Sequence, residues 1–243
     1  MRLHAVIPAA GTGTRVGANR PKQYLMLGAQ TMLEHAVDAV LADGRIERVM
    51  VVLAPDDDYG AQLPGLRRTD RLAVVRAGGS SRAVSVRAGL LALQAAPDDW
   101  VLVHDAARPA LDAAELVDLI DALLHDAVGG LLALPLADTL KRATVDDPPR
   151  VDATVDRTGL WRALTPQMFR AGLLARALDG ADLATITDEA SAVERLGLSP
   201  RLITGRASNI KVTTADDLPL ARAFLAAQGR IAPGDPSSEK ERA

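Results

Sequence analysis

The chain has 243 residues, no cysteine and a formal net charge of −3, and 48% of its residues are hydrophobic. This length and content suit one large domain, or two small ones, with an aliphatic core. Without cysteine, the chain has no disulfides, thiolate metal sites or thiol nucleophiles. A slightly acidic chain with two each of Phe, Tyr and Trp is poorly suited to nucleic acid. Since no apolar stretch is long enough to span a membrane, we expect a cytoplasmic protein that binds neither nucleic acid nor membranes.

Buried strands alternate with helices over the first half of the chain. Continuous apolar runs predict strands at 3–8, 48–53, 72–76, 100–104 and 130–134. Apolar periodicity and capping residues, such as Thr31 with Glu34, predict helices at about 31–41, 82–94 and 113–124. Strands that are apolar throughout, joined by helices, indicate an α/β fold: a doubly wound, mostly parallel, Rossmann-like sheet with helices on both faces.

The segment of residues 136–160 departs from this alternation. It is polar and is interrupted by Asp147-Pro148-Pro149, which predicts a protruding hairpin or β-arm. An isolated hairpin is marginally stable in water, so we expect this arm to pack against a second subunit.

The alternation resumes after the arm. We predict a helix over 170–178, a helix capped by Thr187 that ends before Gly197, and a last helix from Thr214 to Gln228. Two short strands are expected between the last two helices, at 201–203 and 209–212. Residues 1–228 then form a single domain, and the composition of residues 229–243 predicts a disordered, dispensable tail.

The loop after the first strand, PAAGTGTRVGANRPKQ from Pro8 to Gln23, is the most informative stretch. Its glycines miss the dinucleotide fingerprint by one residue, which disfavours a dehydrogenase, and the Walker motif is also absent. What remains is small-residue backbone with two cations, Arg15 and Lys22. This combination suits a triphosphate during phosphoryl or nucleotidyl transfer, the alternative being a tight turn with solvated cations.

This loop resembles the signature of sugar-phosphate nucleotidyltransferases, and its Pro-Lys-Gln ending resembles their cytidylyltransferase branch. Seven further blocks, in order, resemble the family of 2-C-methyl-D-erythritol 4-phosphate cytidylyltransferases. They are GGSSR at 78–82, VHDAARP at 103–109, DTLKR at 138–142, TVDR at 154–157, LTPQ at 164–167, ITDEAS at 186–191 and NIKV at 209–212. The resemblance covers residues 3–225. It implies that CTP and 2-C-methyl-D-erythritol 4-phosphate are joined with release of pyrophosphate, in non-mevalonate isoprenoid biosynthesis.

The resemblance also implies roles for individual residues. Arg15 and Lys22 stabilise the transition state, while Arg157 and Lys211 position the attacking phosphate. The residues that bind CTP are Ala9, Ala10, Gly11, Gly79, Ser80, Ser85 and Ala106. The residues that bind the polyol phosphate are Asp105, Arg108, Thr139, Arg157, Thr165, Thr187 and Lys211. Because the family commonly has an acidic residue in place of Ser80, we expect the base to be read mainly by the backbone at Gly79.

Asp105 follows the fourth strand, at the edge of the sheet where the glycine loop lies. A carboxylate there suits Mg²⁺ that bridges the triphosphate, whereas a strand-end carboxylate elsewhere more often caps a helix. The resemblance implies Mg²⁺ as cofactor. It also implies a homodimer in which the 136–160 arm carries Arg157 into the partner's site.

Two alternatives remain. A D-ribitol 5-phosphate cytidylyltransferase shares the glycine loop and the His-Asp block, but the block at 154–157 together with Trp161 favours methylerythritol phosphate. A non-catalytic nucleotide-binding module belongs to a different class, and the presence of Arg15 and Asp105 disfavours it.

Overall fold

The computed structural model describes residues 1–11, 20–179 and 182–233. The strands in these ranges are β1 (Leu3–Pro8), β2 (Met26–Leu27), β3 (Gln30–Thr31), β4 (Ile46–Leu53), β5 (Leu72–Arg76), β6 (Trp100–Val103), β7 (Gly129–Pro135), β8 (Leu140–Ala143), β9 (Val151–Val155), β10 (Trp161–Arg170) and β11 (Arg201–Thr204). The α-helices are α1 (Met32–Leu41), α2 (Asp58–Gln62), α3 (Arg82–Leu93), α4 (Ala113–Leu123), α5 (Ala171–Leu178), α6 (Glu189–Glu194) and α7 (Asp217–Ala227). Within this part of the chain, no helix is long and apolar enough to cross a membrane.

Seven strands form one central sheet in the order β11-β7-β10-β6-β1-β4-β5. β10 runs antiparallel to both of its neighbours, and the other paired strands are parallel. This arrangement confirms the predicted mostly parallel sheet. It also brings the carboxyl ends of β1 and β6, which are adjacent, to the same edge.

Helices cover both faces of the sheet because successive side chains of a strand point to opposite sides. Ala5 and Ile7 of β1 pack in a core shared with α1 and α4, and Val6 packs in a second core with α3, α5 and α6. All three side chains are fully buried. Burial of a side chain the size of Val6 or Ile7 contributes about 1.5–3 kcal/mol to the free energy of unfolding. The doubly wound prediction is confirmed.

Local capping fixes where the helices begin. The Thr31 hydroxyl accepts a hydrogen bond from the Glu34 N–H at 3.2 Å, and the Glu34 carboxylate accepts one from the Thr31 N–H at 2.8 Å, as predicted for a capping box. Ser81 caps α3 by accepting from the Val84 N–H at 3.3 Å. This cap places the first turn of α3 beside the loop that follows β5.

The predicted arm is an antiparallel hairpin of β8 and β9. Val145 and Val151 on this hairpin are exposed, with relative accessibilities of 104% and 66%. The sequence does not predict the strand that follows, β10. Pro166 lies inside β10, and the pairing with β7 shifts register between Ala163 and Gln167, so its pattern is not that of a regular strand.

Four further expectations need correction. Residues 209–212 are not a strand, because the Asn209 side chain donates to Thr165 O at 2.8 Å and the Val212 N–H donates to Ala107 O at 2.8 Å, across the ends of other strands. The cap of α6 is Asp188 and not Thr187, because the Asp188 carboxylate accepts from the Ser191 N–H at 2.9 Å.

The last helix begins after Asp216, and not at Thr214. The segment that follows this helix also differs from the predicted disordered tail. Arg230 donates hydrogen bonds to Pro109 O at 2.8 Å and to His35 O at 2.6 Å. Residues 229–233 therefore pack on the domain, and residues 234–243 lie outside the described residues.

Candidate active site

A pocket of about 300 Å³ opens at the carboxyl ends of β1 and β6. Four segments surround it: the loop after β1, the loop between β5 and α3, the loop after β6, and the segment between β11 and α7 that carries Lys211. Its lining residues are Pro8, Ala9, Ala10, Gly11, Lys22, Gln23, Gly79, Ser80, Ser81, Arg82, Ser85, Asp105, Ala106, Ala107 and Lys211. The crevice outside the carboxyl ends of parallel strands is where open α/β sheets bind ligands.

Gln23 holds the loop that follows β1. Its buried side-chain amide donates to Ala9 O at 2.8 Å and to Gly11 O at 3.0 Å. From the other side, the Ala9 N–H donates to Val52 O in β4 at 2.8 Å. These bonds fix the backbone of residues 9–11 as a wall of small residues, against which a ligand can lie closely.

The loop between β5 and α3 is shaped by a buried hydroxyl. Ser85 Oγ accepts from the Gly79 N–H at 3.2 Å and donates to Ser81 O at 3.1 Å. Ser80 is exposed at the pocket edge. The Ser85 hydroxyl thus sets the conformation of the loop.

A buried carboxylate, Asp105, lies between cations at the base of the pocket. Its Oδ1 is 2.7 Å from Arg82 Nε, and its Oδ2 is 2.8 Å from Lys211 Nζ and 3.8 Å from Arg108 Nε. Burial alone would raise the pKa of the Asp105 carboxyl, but the charges of Arg82, Lys211 and Arg108 together hold it well below its usual range. The carboxylate is therefore charged at neutral pH.

Arg82 also contacts a second carboxylate, that of Glu189 at the start of α6. Its Nη1 and Nη2 donate to Glu189 Oε1 and Oε2 at 2.5 and 2.9 Å. Burial raises the pKa of Glu189, and the adjacent Arg82 opposes this shift.

Behind Asp105, a neutral hydrogen-bond network supports the loop after β6. The Asp105 N–H donates to Thr165 Oγ1 at 3.1 Å, the Thr165 hydroxyl donates to His104 Nδ1 at 3.0 Å, and His104 Nε2 donates to Arg108 O at 3.0 Å. Burial lowers the pKa of His104 to about 4. The neutral ring can therefore accept one of these bonds and donate the other, as the network requires.

Comparison with known proteins identifies the family of the chain. The family model described as 2-C-methyl-D-erythritol 4-phosphate cytidylyltransferase (IspD) matches residues 3–227. The chain belongs to this family. This match confirms the α/β fold and the nucleotidyltransferase class that the sequence motifs imply.

Relatives named 2-C-methyl-D-erythritol 4-phosphate cytidylyltransferase support the same assignment. The protein of Laribacter hongkongensis is 58% identical over 92% of this chain and 96% of its own, and that of Chromobacterium violaceum is 55% identical over 92% and 98%. A crystal structure of 4-diphosphocytidyl-2C-methyl-D-erythritol synthase is 42% identical, with a TM-score of 0.81 over 92% of this chain and 98% of that one. The Francisella tularensis cytidylyltransferase structure is 32% identical, with a TM-score of 0.78 over 93% and 100%.

The pocket brings together most of the residues predicted to bind CTP or to act in transfer. These are Ala9, Ala10, Gly11, Lys22, Gly79, Ser80, Ser85, Asp105, Ala106 and Lys211. Lys22 Nζ donates to Val212 O at 2.7 Å, so Lys22 contacts the residue next to Lys211. Arg15 lies outside the described residues.

Five residues predicted to contact the polyol phosphate do not line the pocket among the described residues: Arg108, Thr139, Arg157, Thr165 and Thr187. Arg108 and Thr165 are buried, and the Arg108 guanidinium donates to Asn209 O at 2.7 Å. Thr139 and Arg157 are exposed on the arm, where Arg157 donates to Ala137 O. Thr187 is exposed just before α6.

Three residues in or next to the pocket have no role predicted from the sequence: Gln23, Arg82 and Glu189. Gln23 and Arg82 belong to the sequence blocks that carry the family resemblance, which is the one available signal for them. Glu189 also belongs to one of these blocks, ITDEAS at 186–191, but the sequence assigns it only to the first turn of a helix. Its pairing with Arg82, 107 positions away, depends on how α3 and α6 pack on the sheet.

Proposed function

We propose that the chain joins CTP and 2-C-methyl-D-erythritol 4-phosphate in this pocket. A phosphate oxygen of the polyol attacks the α-phosphorus of CTP, a new P–O bond forms, and the bond to the leaving pyrophosphate breaks. The observation that carries the proposal is one pocket lined by small-residue loops, two lysines and a charged carboxylate. Catalysis then consists of positioning and electrostatic stabilisation, without a covalent intermediate on the protein.

The backbone of residues 9–11 and the loop at Gly79 would bind the nucleotide. The Gly79 N–H is already bonded to Ser85. The exocyclic amino group of cytosine is a donor, so we expect a backbone carbonyl of this loop to accept from it. A serine at position 80 leaves this recognition in place, since a backbone carbonyl does not depend on the side chain.

Lys22 and Lys211, which both line the pocket, would supply its positive charge. Lys22, with Arg15, would stabilise the charge that develops on the triphosphate, and Lys211 would position the attacking phosphate. Loss of one well-placed donor of this kind costs about 3–4 kcal/mol of transition-state stabilisation, or about 10²–10³ in rate.

Asp105 is the residue that would hold Mg²⁺. The described residues contain no cluster of three or more His, Asp or Glu side chains suited to a metal. A single carboxylate is sufficient, because Mg²⁺ takes its remaining ligands from substrate phosphates and water. Each Asp105 oxygen has two lone pairs, and Arg82 and Lys211 use one on each oxygen. Mg²⁺ would neutralise triphosphate charge there, so activity in EDTA equal to that with Mg²⁺ would remove this role from Asp105.

We also propose a homodimer that exchanges the arm. In this chain, Arg157 is exposed and bonded within the arm, and exposed Val145 and Val151 would be covered by a second subunit. The test mixes two inactive variants, Arg157→Ala and Lys22→Ala. If the arm completes the partner's site, mixed dimers contain one intact site, and an equal mixture regains roughly a quarter of full activity. No recovery after subunit exchange would contradict arm exchange.

The overall function is tested by CTP-dependent pyrophosphate release, with 2-C-methyl-D-erythritol 4-phosphate and D-ribitol 5-phosphate offered separately. Turnover with the methylerythritol phosphate is expected. Turnover with ribitol phosphate alone would favour the alternative substrate. Binding of CTP without turnover of either acceptor would indicate a nucleotide-binding module.

A further inference from the structure

Four charged side chains form a continuous row from α6 to the pocket. Glu189 pairs with Arg82, Arg82 with Asp105, and Asp105 with Lys211, whose side chain is 43% exposed. The charges alternate in sign and sum to zero. Glu189 is 1% exposed and is not among the residues that line the pocket.

Such a row is costly for stability, because removing charged groups from water is only partly offset by their attraction. One carboxylate would be enough to neutralise Arg82. The second carboxylate uses the other edge of the guanidinium: Nε faces Asp105, and Nη1 and Nη2 face Glu189. A planar guanidinium held at both edges cannot rotate, so its Nε–H has a fixed direction.

The row also has a rigid anchor. The neighbouring residues Asp188 and Ala190 are both tied to the Gln167 side chain of β10, which donates to Asp188 Oδ2 at 2.9 Å and accepts from the Ala190 N–H at 2.8 Å. Glu189 is therefore fixed to the central sheet. Arg82 extends this anchor across the loop between β5 and α3 to Asp105.

We propose that Arg82, held by Glu189, is a positioning residue that orients the Asp105 carboxylate and, through it, the Lys211 ammonium for transfer. This inference rests on the proposed function of the pocket. Glu189 acts only through Arg82, so its removal matters only while Arg82 is present. The backbone contacts expected for the cytidine are not part of the row, so the affinity for CTP should change less than the affinity for the polyol phosphate.

The test measures kcat and both KM values by pyrophosphate release, and the melting temperature, for Glu189→Gln, Arg82→Gln and the double variant. Arg87→Gln is the matched control, since Arg87 lies on the same helix in an exposed pair with Asp179 at 3.5 Å. We expect Glu189→Gln to lower kcat about 10- to 100-fold and raise KM for the polyol phosphate, with less than about threefold change in KM for CTP. Adding Glu189→Gln to Arg82→Gln should cost no further activity.

Unchanged kcat in Glu189→Gln, or additive losses in the double variant, would overturn the inference. A loss that follows only the fraction of folded protein would do so as well. Arg82→Gln leaves Glu189 unpaired and can fail to fold. In that case Glu189→Asp decides, since a shorter carboxylate should restore part of the kcat lost in Glu189→Gln, and no restoration would count against positioning. Failure of the proposed function is distinguishable, because the wild-type chain would then not turn over the acceptor.

Discussion

Substitution of Gly78 by alanine tests whether the loop after β1 and the loop between β5 and α3, which we propose bind CTP, must be in contact. Gly78 lies between β5 and α3, and its N–H donates to Leu53 O at 2.8 Å. Its φ is not positive, so alanine is compatible with the backbone itself. A Cβ at this position would lie 2.8 Å from Leu53 O and far inside van der Waals contact with the Ala10 Cβ.

The size of the effect follows from which atoms can move. Leu53 O belongs to β4, which is paired on both sides, so it cannot move away from the added Cβ. The Ala10 Cβ must then move, because carbon atoms that are not bonded to each other pack at about 3.5–4.0 Å. The Ala10 loop must therefore move by more than about 1 Å, and a misplacement of 1 Å near reacting groups costs about 10²-fold in rate. Overpacking also lowers the free energy of unfolding by about 1–3 kcal/mol.

The assay is calorimetric titration of CTP together with pyrophosphate release. We expect Gly78→Ala to weaken CTP binding and to lower kcat/KM for CTP about 10²-fold. Gly44→Ala is the control, because a Cβ there meets nothing within 4 Å. If Gly78→Ala binds CTP as the wild type does, the close approach of the two loops has no part in shaping the nucleotide site.

Two further predictions concern stability. Truncation after Gly229 removes the hydrogen bonds of Arg230 to Pro109 O and His35 O, and it should lower the free energy of unfolding by about 1–2 kcal/mol. Truncation after Pro233 keeps these bonds and should not lower it. Equal melting temperatures for the two truncated chains would contradict this prediction. Because burial lowers the pKa of His104 to about 4, the unfolded chain binds more protons between about pH 6.5 and 4. The free energy of unfolding should therefore fall as pH falls through this window, by up to about 3 kcal/mol from this group. Denaturant unfolding of His104→Gln should show a shallower pH dependence, and an identical slope would refute the assignment.

Much of the fold can be predicted from the sequence because its signals are local. The run Leu3–Pro8 is apolar throughout and forms β1, and the capping box at Thr31 begins α1 as predicted. β10 could not be predicted in this way. Its pattern is broken by Pro166 and by a register shift, and its place between β6 and β7 is decided by packing.

The same distinction between local signals and tertiary packing applies to the site. Lys22, Gly79, Asp105 and Lys211 lie in sequence motifs, and the structure places all of them on one pocket. Arg108 differs from these residues, because its buried side chain donates to the Asn209 carbonyl and does not line the pocket.

By itself, the sequence determined the strands with continuous apolar runs, the helix caps, the glycine loop and the family. Each of these depends on residues that are neighbours along the chain or recur in order. Only the tertiary structure decided that Glu189 holds Arg82 against Asp105, and that Arg230 packs beside the loop after β6. Those contacts join residues far apart in sequence, and they follow from the strand order and from the faces on which the helices pack.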